Sequence, residues 1–117
     1  MQTAVLILLL HFIGDFALQS SKMAVNKATS LRWLSIHVAV YTSVLLAGML
    51  LLLGPHVTTL YYVLANGALH WVTDYFTSRL NARFYAANQL RFYYCGIGAD
   101  QLIHHTCLLL SYDLLVG

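Results

Sequence analysis

Three pairs of histidine and aspartate residues could do chemistry in this chain, because the members of each pair are four positions apart. The pairs are His11/Asp15, His70/Asp74 and, in reverse order, Asp100/His104. Residues i and i+4 share one face of a helix, so both side chains of a pair can reach the same object. Imidazole and carboxylate groups at this spacing suit metal binding and acid–base catalysis.

The segments around these pairs are strongly apolar. The chain has 117 residues, of which 60% are hydrophobic and only 9% are charged, and its mean hydropathy is +0.71. A soluble domain has about 25% charged residues, so too little polar surface is present to cover a soluble globule. The composition predicts an integral membrane protein with a single domain over residues 1–117. The formal net charge of +2 gives no indication of nucleic-acid binding.

The apolar segments predict an all-α polytopic membrane protein whose four transmembrane helices form a compact bundle. The spans lie at about 2–20, 31–53, 57–80 and 97–116, each close to the ~20 residues that a hydrocarbon core requires. Residues 81–95 mix arginine with phenylalanine and tyrosine, and they are expected to form an interfacial segment in the headgroup layer.

The basic residues predict the orientation of the bundle. All six lie in the connection between spans one and two or that between spans three and four, or in the span ends that flank these connections, whereas the turn at Gly54-Pro55 has none. Positive residues stay on the cytoplasmic side, so both termini should face outward, in a bacterial inner membrane. Topology alone accounts for these residues, but five could also bind a phosphate headgroup. These five are Lys22, Lys27, Arg79, Arg83 and Arg91.

With this topology, four helices bring seven ionisable groups into one layer of the cytoplasmic half. The predicted metal ligands are His11, Asp15, His37, His70, Asp74, Asp100 and His104. Unsatisfied polar groups in hydrocarbon cost several kcal/mol each, so these side chains should face one another. Residues expected to orient the ligands are Asn66, Gln19 and Gln101.

Neutral imidazole and carboxylate ligands are typical of divalent zinc, which is the expected ion, with manganese and iron as alternatives. The seven groups could hold one or two ions. If the site is catalytic, a metal-activated water would hydrolyse a lipid or a phosphate-bearing substrate at the cytoplasmic face. Asp15, Asp74 and Asp100 are then the candidate catalytic residues, with one of them as the base. The chain has no glutamate, which excludes a zincin peptidase of the HExxH type.

Two other functions remain open from the sequence. A non-enzymatic phage or bacterial factor could bind a membrane-protein partner or a second copy of itself, with the polar layer only holding the helices together. Ion or proton transport could also use His and Asp residues, but the outer half of the second span is purely apolar. Transport is therefore the third alternative.

Several motifs together resemble a known family. They are His11-Phe-Ile-Gly-Asp15-Phe-Ala-Leu-Gln19 followed by Lys22, Met23 and Lys27, then His37, then Asn66/His70/Asp74, and finally Asp100-Gln101-Leu-Ile-His104. In these motifs the chain resembles the bacterial and phage membrane-protein family known as domain of unknown function 3307, over nearly its whole length. In the style of its site it is also similar to inner-membrane metal-dependent hydrolases.

Overall fold

The computed structural model describes residues 1–117, which form helices and no strand. Helix α1 spans Gln2–Phe12 and continues directly into a π-helical turn at Ile13–Ala17. A short helix α2 (Ser21–Asn26) follows, and then three long helices, α3 (Leu31–Leu53), α4 (Val57–Ala86) and α5 (Leu90–Leu115). The all-α prediction is confirmed.

The helix boundaries follow from local signals. The side chains of Ser20 and Ser30 cap α2 and α3 by accepting hydrogen bonds from the backbone N–H groups three residues ahead, at 3.2 and 3.3 Å. Helix α3 ends at Leu53 and is followed by Gly54. The φ of Gly54 is 88°, a positive value that glycine adopts without steric cost. These two caps thus lie on either side of the segment that carries Lys27.

Helices α4 and α5 form a hairpin. The residues predicted to be a separate interfacial segment, 81–95, instead form the facing ends of both helices and the turn at 87–89. The mixed aromatic residues pack across this turn, with ring centroids 5.7 Å apart for Phe84 and Phe92 and 5.2 Å apart for Tyr85 and Tyr93. These cross-hairpin contacts explain why the stretch continues both helices.

Glycines allow close approach at two places beside the polar pairs. A Cβ at Gly67 on α4 would lie 2.7 Å from Thr42 Oγ1 on α3. A Cβ at Gly14 in the π-helical turn would lie 3.1 Å from Tyr41 Cδ2, also on α3. Both glycines therefore bring a neighbouring backbone onto α3, and with it the polar residues His70 and Asp15.

The interior is divided into an apolar half and a polar half. The apolar half is a cluster of seven buried residues at the end of the bundle where α1 begins, namely Ile7, Tyr41, Leu45, Met49, Tyr62, Val63 and Leu108. The other half, towards the α4–α5 turn, holds the His/Asp residues. In total, nine hydrophobic and nine polar or charged side chains are buried, so the interior is no more apolar than polar.

Large apolar side chains cover much of the outside. Leu51 is 90% exposed, Leu114 85% and Phe76 65%. By length and composition, α3 is the one helix that could cross a membrane, and Gln2–Ala17 is apolar but shorter.

Candidate metal centre

Four side chains from three parts of the bundle converge on one point. Asp15 comes from the π-helical turn, His37 from α3, and His70 and Asp74 from one face of α4. One nitrogen or carboxylate oxygen from each residue lies within 4.8 Å of the other three, and all four residues are buried. We call these four residues the primary cluster.

The separations within the primary cluster match the edges of a small coordination polyhedron. His37 Nε2 lies 3.0 Å from Asp15 Oδ1, 3.1 Å from His70 Nε2 and 3.2 Å from Asp74 Oδ2. His70 Nε2 lies 3.4 Å from Asp15 Oδ1 and 3.5 Å from Asp74 Oδ2. A tetrahedral ion with ligands at 2.0–2.1 Å has edges of about 3.3 Å. The five separations thus suit a zinc-sized ion.

Hydrogen bonding alone does not account for the primary cluster. A ring nitrogen carries at most one hydrogen, yet His37 Nε2 faces two carboxylate oxygens and a second ring nitrogen. The other ring nitrogens, Nδ1 of His37 and of His70, are buried and have no hydrogen-bond partner. Both rings therefore engage the site through their Nε2 edges, where the lone pairs converge.

The ring of His70 is oriented by stacking. Its centroid lies 3.9 Å from that of Tyr41, with the planes 8° apart, and 4.1 Å from that of His104, with the planes 29° apart. These two stacking partners restrict rotation of the imidazole. In many metal sites a hydrogen bond at Nδ1 has this role instead. Nε2 of His70 is thereby held towards the primary cluster.

A second group adjoins the first. Asp15, Asp100 and His104 also place ligand atoms within 4.8 Å of one another, so Asp15 belongs to both groups. His104 Nε2 lies 3.0 Å from Asp74 Oδ1 and 3.2 Å from Asp100 Oδ1. The hydroxyl of Thr77 also donates a hydrogen bond to Asp100 Oδ1. His104 thus connects Asp100 to the oxygen of Asp74 that does not face His37.

His11 lies beside the cluster and orients it through Gln101. Its Nε2 is 2.8 Å from Gln101 Oε1, an acceptor, so this nitrogen donates. Its Nδ1 is then the acceptor for the Tyr41 hydroxyl at 3.3 Å. The amide nitrogen of Gln101 donates to Asp100 Oδ2 at 3.0 Å and to Asp15 Oδ2 at 3.4 Å. His11 therefore fixes the amide that positions two carboxylates.

Lys27 contributes a positive charge from the connection between α2 and α3. Its Nζ lies 3.1 Å from Asp74 Oδ2, and its side chain is only 16% exposed. With neutral imidazoles, one ammonium and the three carboxylates of Asp15, Asp74 and Asp100 leave two net negative charges. Buried charges need partners. A single divalent cation would supply the missing charge, and two would exceed it.

The structure brings six of the seven predicted ligands into the two groups, and His11 is the exception. Among the predicted orienting residues, Gln101 contacts the carboxylates, whereas Asn66 donates to Tyr62 O and Ser111 Oγ. Gln19 lies at a neighbouring cavity.

Of the five predicted headgroup-binding cations, only Lys27 reaches the cluster. Arg79 donates to its own helix at Tyr75 O and covers the Tyr75 ring at 3.9 Å. The side chains of three others, Lys22, Arg83 and Arg91, are exposed.

Sequence reasoning missed two contributors, Tyr41 and Thr77. Tyr41 is four residues after His37 and so shares its helix face, and Thr77 is three residues after Asp74. Extending each polar face by one turn would have found both.

A cavity of about 410 Å³ opens next to the cluster. Asp15, Lys27 and Gln101 lie in its wall, together with residues of α4 and α5 on the side of the hairpin turn. The primary cluster is therefore buried, but one of its carboxylates borders a space large enough for a small molecule.

The fold and the site together define a class, an all-α protein whose buried His/Asp groups could hold a metal ion. The chain belongs to the family described as Protein of unknown function (DUF3307), whose model matches residues 3–116. The family predicted from the His/Asp motifs is thus confirmed. No curated protein and no solved structure matches the chain.

Proposed function

We propose that this protein is a membrane-embedded, metal-dependent hydrolase that acts on a lipid or phosphate-bearing substrate at the cytoplasmic face of a bacterial inner membrane. The observation that carries the proposal is the triangle of His37, His70 and Asp74 within the primary cluster, whose ligand atoms have the separations of a zinc coordination shell.

The distribution of side chains supports a membrane location. Nine of the buried side chains are polar or charged, whereas leucines such as Leu51 and Leu114 are almost fully exposed. Water-soluble proteins rarely expose contiguous apolar surface on this scale. A hydrocarbon solvent favours the arrangement of this chain, in which apolar side chains lie outside and polar groups satisfy one another inside.

Length alone allows α4 and α5 to span as well, although α3 is the one helix that is also apolar enough by composition. Helices α3, α4 and α5 have 23, 30 and 26 residues, or about 34, 45 and 39 Å, against a hydrocarbon core of about 30 Å. The first span, α1 with its π-helical turn, is shorter at 16 residues and would need local thinning of the bilayer. The cytoplasmic side is the side of the α4–α5 turn, where the basic residues lie.

Metal binding is supported by geometry and charge together. His37, His70 and Asp74 form a complete triangle with edges of 3.1, 3.2 and 3.5 Å. Two histidines and one carboxylate are the protein ligands of several catalytic zinc sites. With the imidazoles neutral, as metal binding requires, the two negative charges left at the site match one divalent ion, so we favour a single ion over two.

Asp15 is the proposed catalytic base. Its Oδ1 lies beside the triangle, 3.0 Å from His37 Nε2 and 3.4 Å from His70 Nε2, and Asp15 also borders the cavity. A divalent ion at the triangle would make a bound water nucleophilic near neutral pH. Asp15 would accept a proton from the attacking water as the water oxygen bonds to the carbonyl or phosphoryl centre, and would pass that proton to the leaving oxygen as its C–O or P–O bond breaks.

A structural metal in a non-enzymatic protein is the second candidate. Asp15 also completes a set of four protein ligands, and structural zinc sites are closed by four. In that case the ion would stabilise the bundle and the surface would bind a partner protein. The cavity beside Asp15 favours the enzyme.

Elemental analysis of the detergent-purified protein tests the proposal, together with hydrolysis of a panel of short-chain carboxylic and phosphate esters. We expect about one divalent ion per chain, and an Asp15→Asn variant that retains its ion but turns over at least about 100-fold more slowly. Protein without metal refutes the proposal. A stoichiometric ion without turnover, and a bundle that unfolds on chelation, would instead establish the structural role.

A further inference from the structure

The second group, formed by Asp15, Asp100 and His104, has the geometry of a further cation site. One ligand atom of each residue lies within 4.8 Å of the other two. Asp74 adjoins this group, because its Oδ1 lies 3.0 Å from His104 Nε2 while its Oδ2 faces the histidines of the primary cluster. The two oxygens of one carboxylate thus face two different groups. A carboxylate placed in this way could bridge two ions.

A single hydrogen bond does not account for the contacts of His104. Its Nε2 carries at most one hydrogen, yet it lies 3.0 Å from Asp74 Oδ1 and 3.2 Å from Asp100 Oδ1. Thr77 is in the same position, since its one hydroxyl hydrogen faces both Thr73 O and Asp100 Oδ1. A cation between His104 Nε2 and the two carboxylate oxygens would engage all three atoms as ligands.

The second group adjoins the cavity of about 410 Å³ through the partners of Asp100. Thr77 and Gln101, which both donate hydrogen bonds to Asp100, lie in the cavity wall, and so does Asp15. The side chain of Asp100 is 11% exposed, against 1% for that of Asp74. An ion at the second group would therefore be more accessible than one in the primary cluster, and a ligand in the cavity could reach it.

Charge determines when such an ion can bind. With neutral imidazoles, Lys27 and one divalent ion already balance the three carboxylates of the two groups. A second divalent ion would leave two excess positive charges in a buried site, which is costly unless an anion binds with it. A phosphate monoester carries nearly two negative charges near neutral pH and offers oxygen ligands. Pairs of ions about 3.5–4 Å apart are a common arrangement in phosphatases.

We infer that the second group is a substrate-dependent cation site. Asp100, His104 and the bridging Asp74 hold a second divalent ion, which binds together with a phosphate monoester in the cavity. The resting protein keeps one ion, and Asp15 remains beside both ions as the base. This inference rests on the proposed hydrolase function and selects the phosphate-bearing members of its substrates.

The phosphate could belong to a lipid head group or to a soluble monoester. Both present the same dianion to the ions, so the cation site does not distinguish them. The cavity wall also contains the apolar residues Phe16, Val25 and Ile97. These side chains suit a hydrocarbon chain next to the phosphate, and a lipid phosphate is therefore the expected source.

The test counts zinc bound to the detergent-purified protein after equilibrium dialysis, with and without an alkylphosphonate. Alkylphosphonates resemble a phosphate monoester in charge and shape, and their P–C bond is not hydrolysed. We expect about one ion per chain without the probe and about two with butylphosphonate. Butanol, which has the same chain and no charge, should leave the count at about one. Butylphosphonate binding several-fold more tightly than methylphosphonate would identify a lipid phosphate, and equal binding a soluble one.

Asp100→Asn localises the second ion, because Asp100 lies outside the primary cluster. We expect this variant to keep the first ion and to gain no second ion with butylphosphonate. Linkage requires the second ion and the phosphonate to strengthen each other's binding by the same factor. Excess zinc should therefore tighten butylphosphonate binding to the one-ion wild type at least about tenfold, and to Asp100→Asn much less. Asp113→Asn, an exposed change on the same helix, is the control and should behave as the wild type.

Three results overturn the inference: no second ion in the wild type at saturating butylphosphonate, a second ion without any phosphonate, or a second ion that Asp100→Asn binds as tightly as the wild type. The thermal midpoint of each variant is measured, and the wild-type counts decide if Asp100→Asn does not fold. Hydrolysis of phosphate esters with one ion only would refute the second site and leave the hydrolase standing. A second ion gained with butylphosphonate, but without hydrolysis of any ester, would do the opposite.

Discussion

Replacing Asp74 with asparagine tests the metal centre most directly, because this carboxylate contacts three histidines and Lys27. Its Oδ2 lies 3.1 Å from Lys27 Nζ, 3.2 Å from His37 Nε2 and 3.5 Å from His70 Nε2. Its Oδ1 lies 3.0 Å from His104 Nε2. Asparagine keeps the shape and one oxygen, so Lys27 or His104 retains an acceptor and the helices should still pack. The negative charge and the proposed metal ligand are lost.

The magnitude follows from binding linkage. Loss of a group that merely orients a ligand lowers metal affinity by about 10- to 100-fold, so loss of the ligand Asp74 should lower it by about 100-fold or more. At a free zinc concentration of about 100 times the wild-type Kd, the ion stabilises the wild type by about 2.7 kcal/mol. At the same concentration, Asp74→Asn would gain only about 0.4 kcal/mol.

The assay is thermal unfolding in detergent, with zinc and with a chelator, beside a direct measurement of bound zinc. Asp113→Asn is the matched control, because Asp113 is the one aspartate outside both His/Asp groups and is exposed on α5. We expect the zinc-induced rise in midpoint in the wild type and in Asp113→Asn, and its near absence in Asp74→Asn. Equal zinc affinity in Asp74→Asn and the wild type would refute the assignment of Asp74 as a ligand.

Three further substitutions test the surroundings of the site. Gln101→Leu should lower zinc affinity about 10- to 100-fold, because its amide orients two carboxylates, and unchanged affinity would remove it from the site. Lys27→Met should raise zinc affinity several-fold while lowering the midpoint of the metal-free protein, since it removes a charge that competes for Asp74; weaker zinc binding would contradict this. Gly67→Ala should lower the free energy of unfolding by about 1–3 kcal/mol through contact with Thr42 Oγ1, and Thr42→Ala should restore part of it if the contact is the cause.

The convergence of the His/Asp residues could be predicted because helix periodicity is a strong constraint. Residues four apart share a face, so His70 and Asp74 had to face the same neighbours once their segment was helical. Burial of three carboxylates in so apolar a chain then required partners, which only the other helices could supply. The same reasoning included Asp100 and His104 correctly as neighbours.

The separate roles of neighbouring residues could not be predicted from spacing. His11 and Asp15 have the same spacing as His70 and Asp74, yet His11 donates to Gln101 while Asp15 joins the primary cluster. A π-helical turn begins between them, and its wider turn changes the direction of the following side chains. Nothing in the sequence Ile13–Ala17 identifies such a turn.

The hairpin turn at 87–89 was missed for a different reason. Arginine and aromatic residues suit a membrane interface, but they also form helices, and composition does not separate these two roles. The contact between Tyr85 and Tyr93 that pairs the two helix ends depends on tertiary structure. Composition indicated which environment would suit this stretch, but it did not indicate that its two halves pack against each other.

The Lys27–Asp74 ion pair also bears on the order in which this protein is assembled. An ammonium at Asp74 Oδ2 provides, from within the chain, part of the positive charge that neighbouring buried carboxylates need. The helices can thus pack before any ion is acquired, and a metal would enter a finished bundle. Small zinc domains behave in the opposite way, since they stay unfolded until the metal arrives. If the proposed ion binds, Lys27 would compensate part of the carboxylate charge beforehand, and we expect metal binding to follow folding as a separate step.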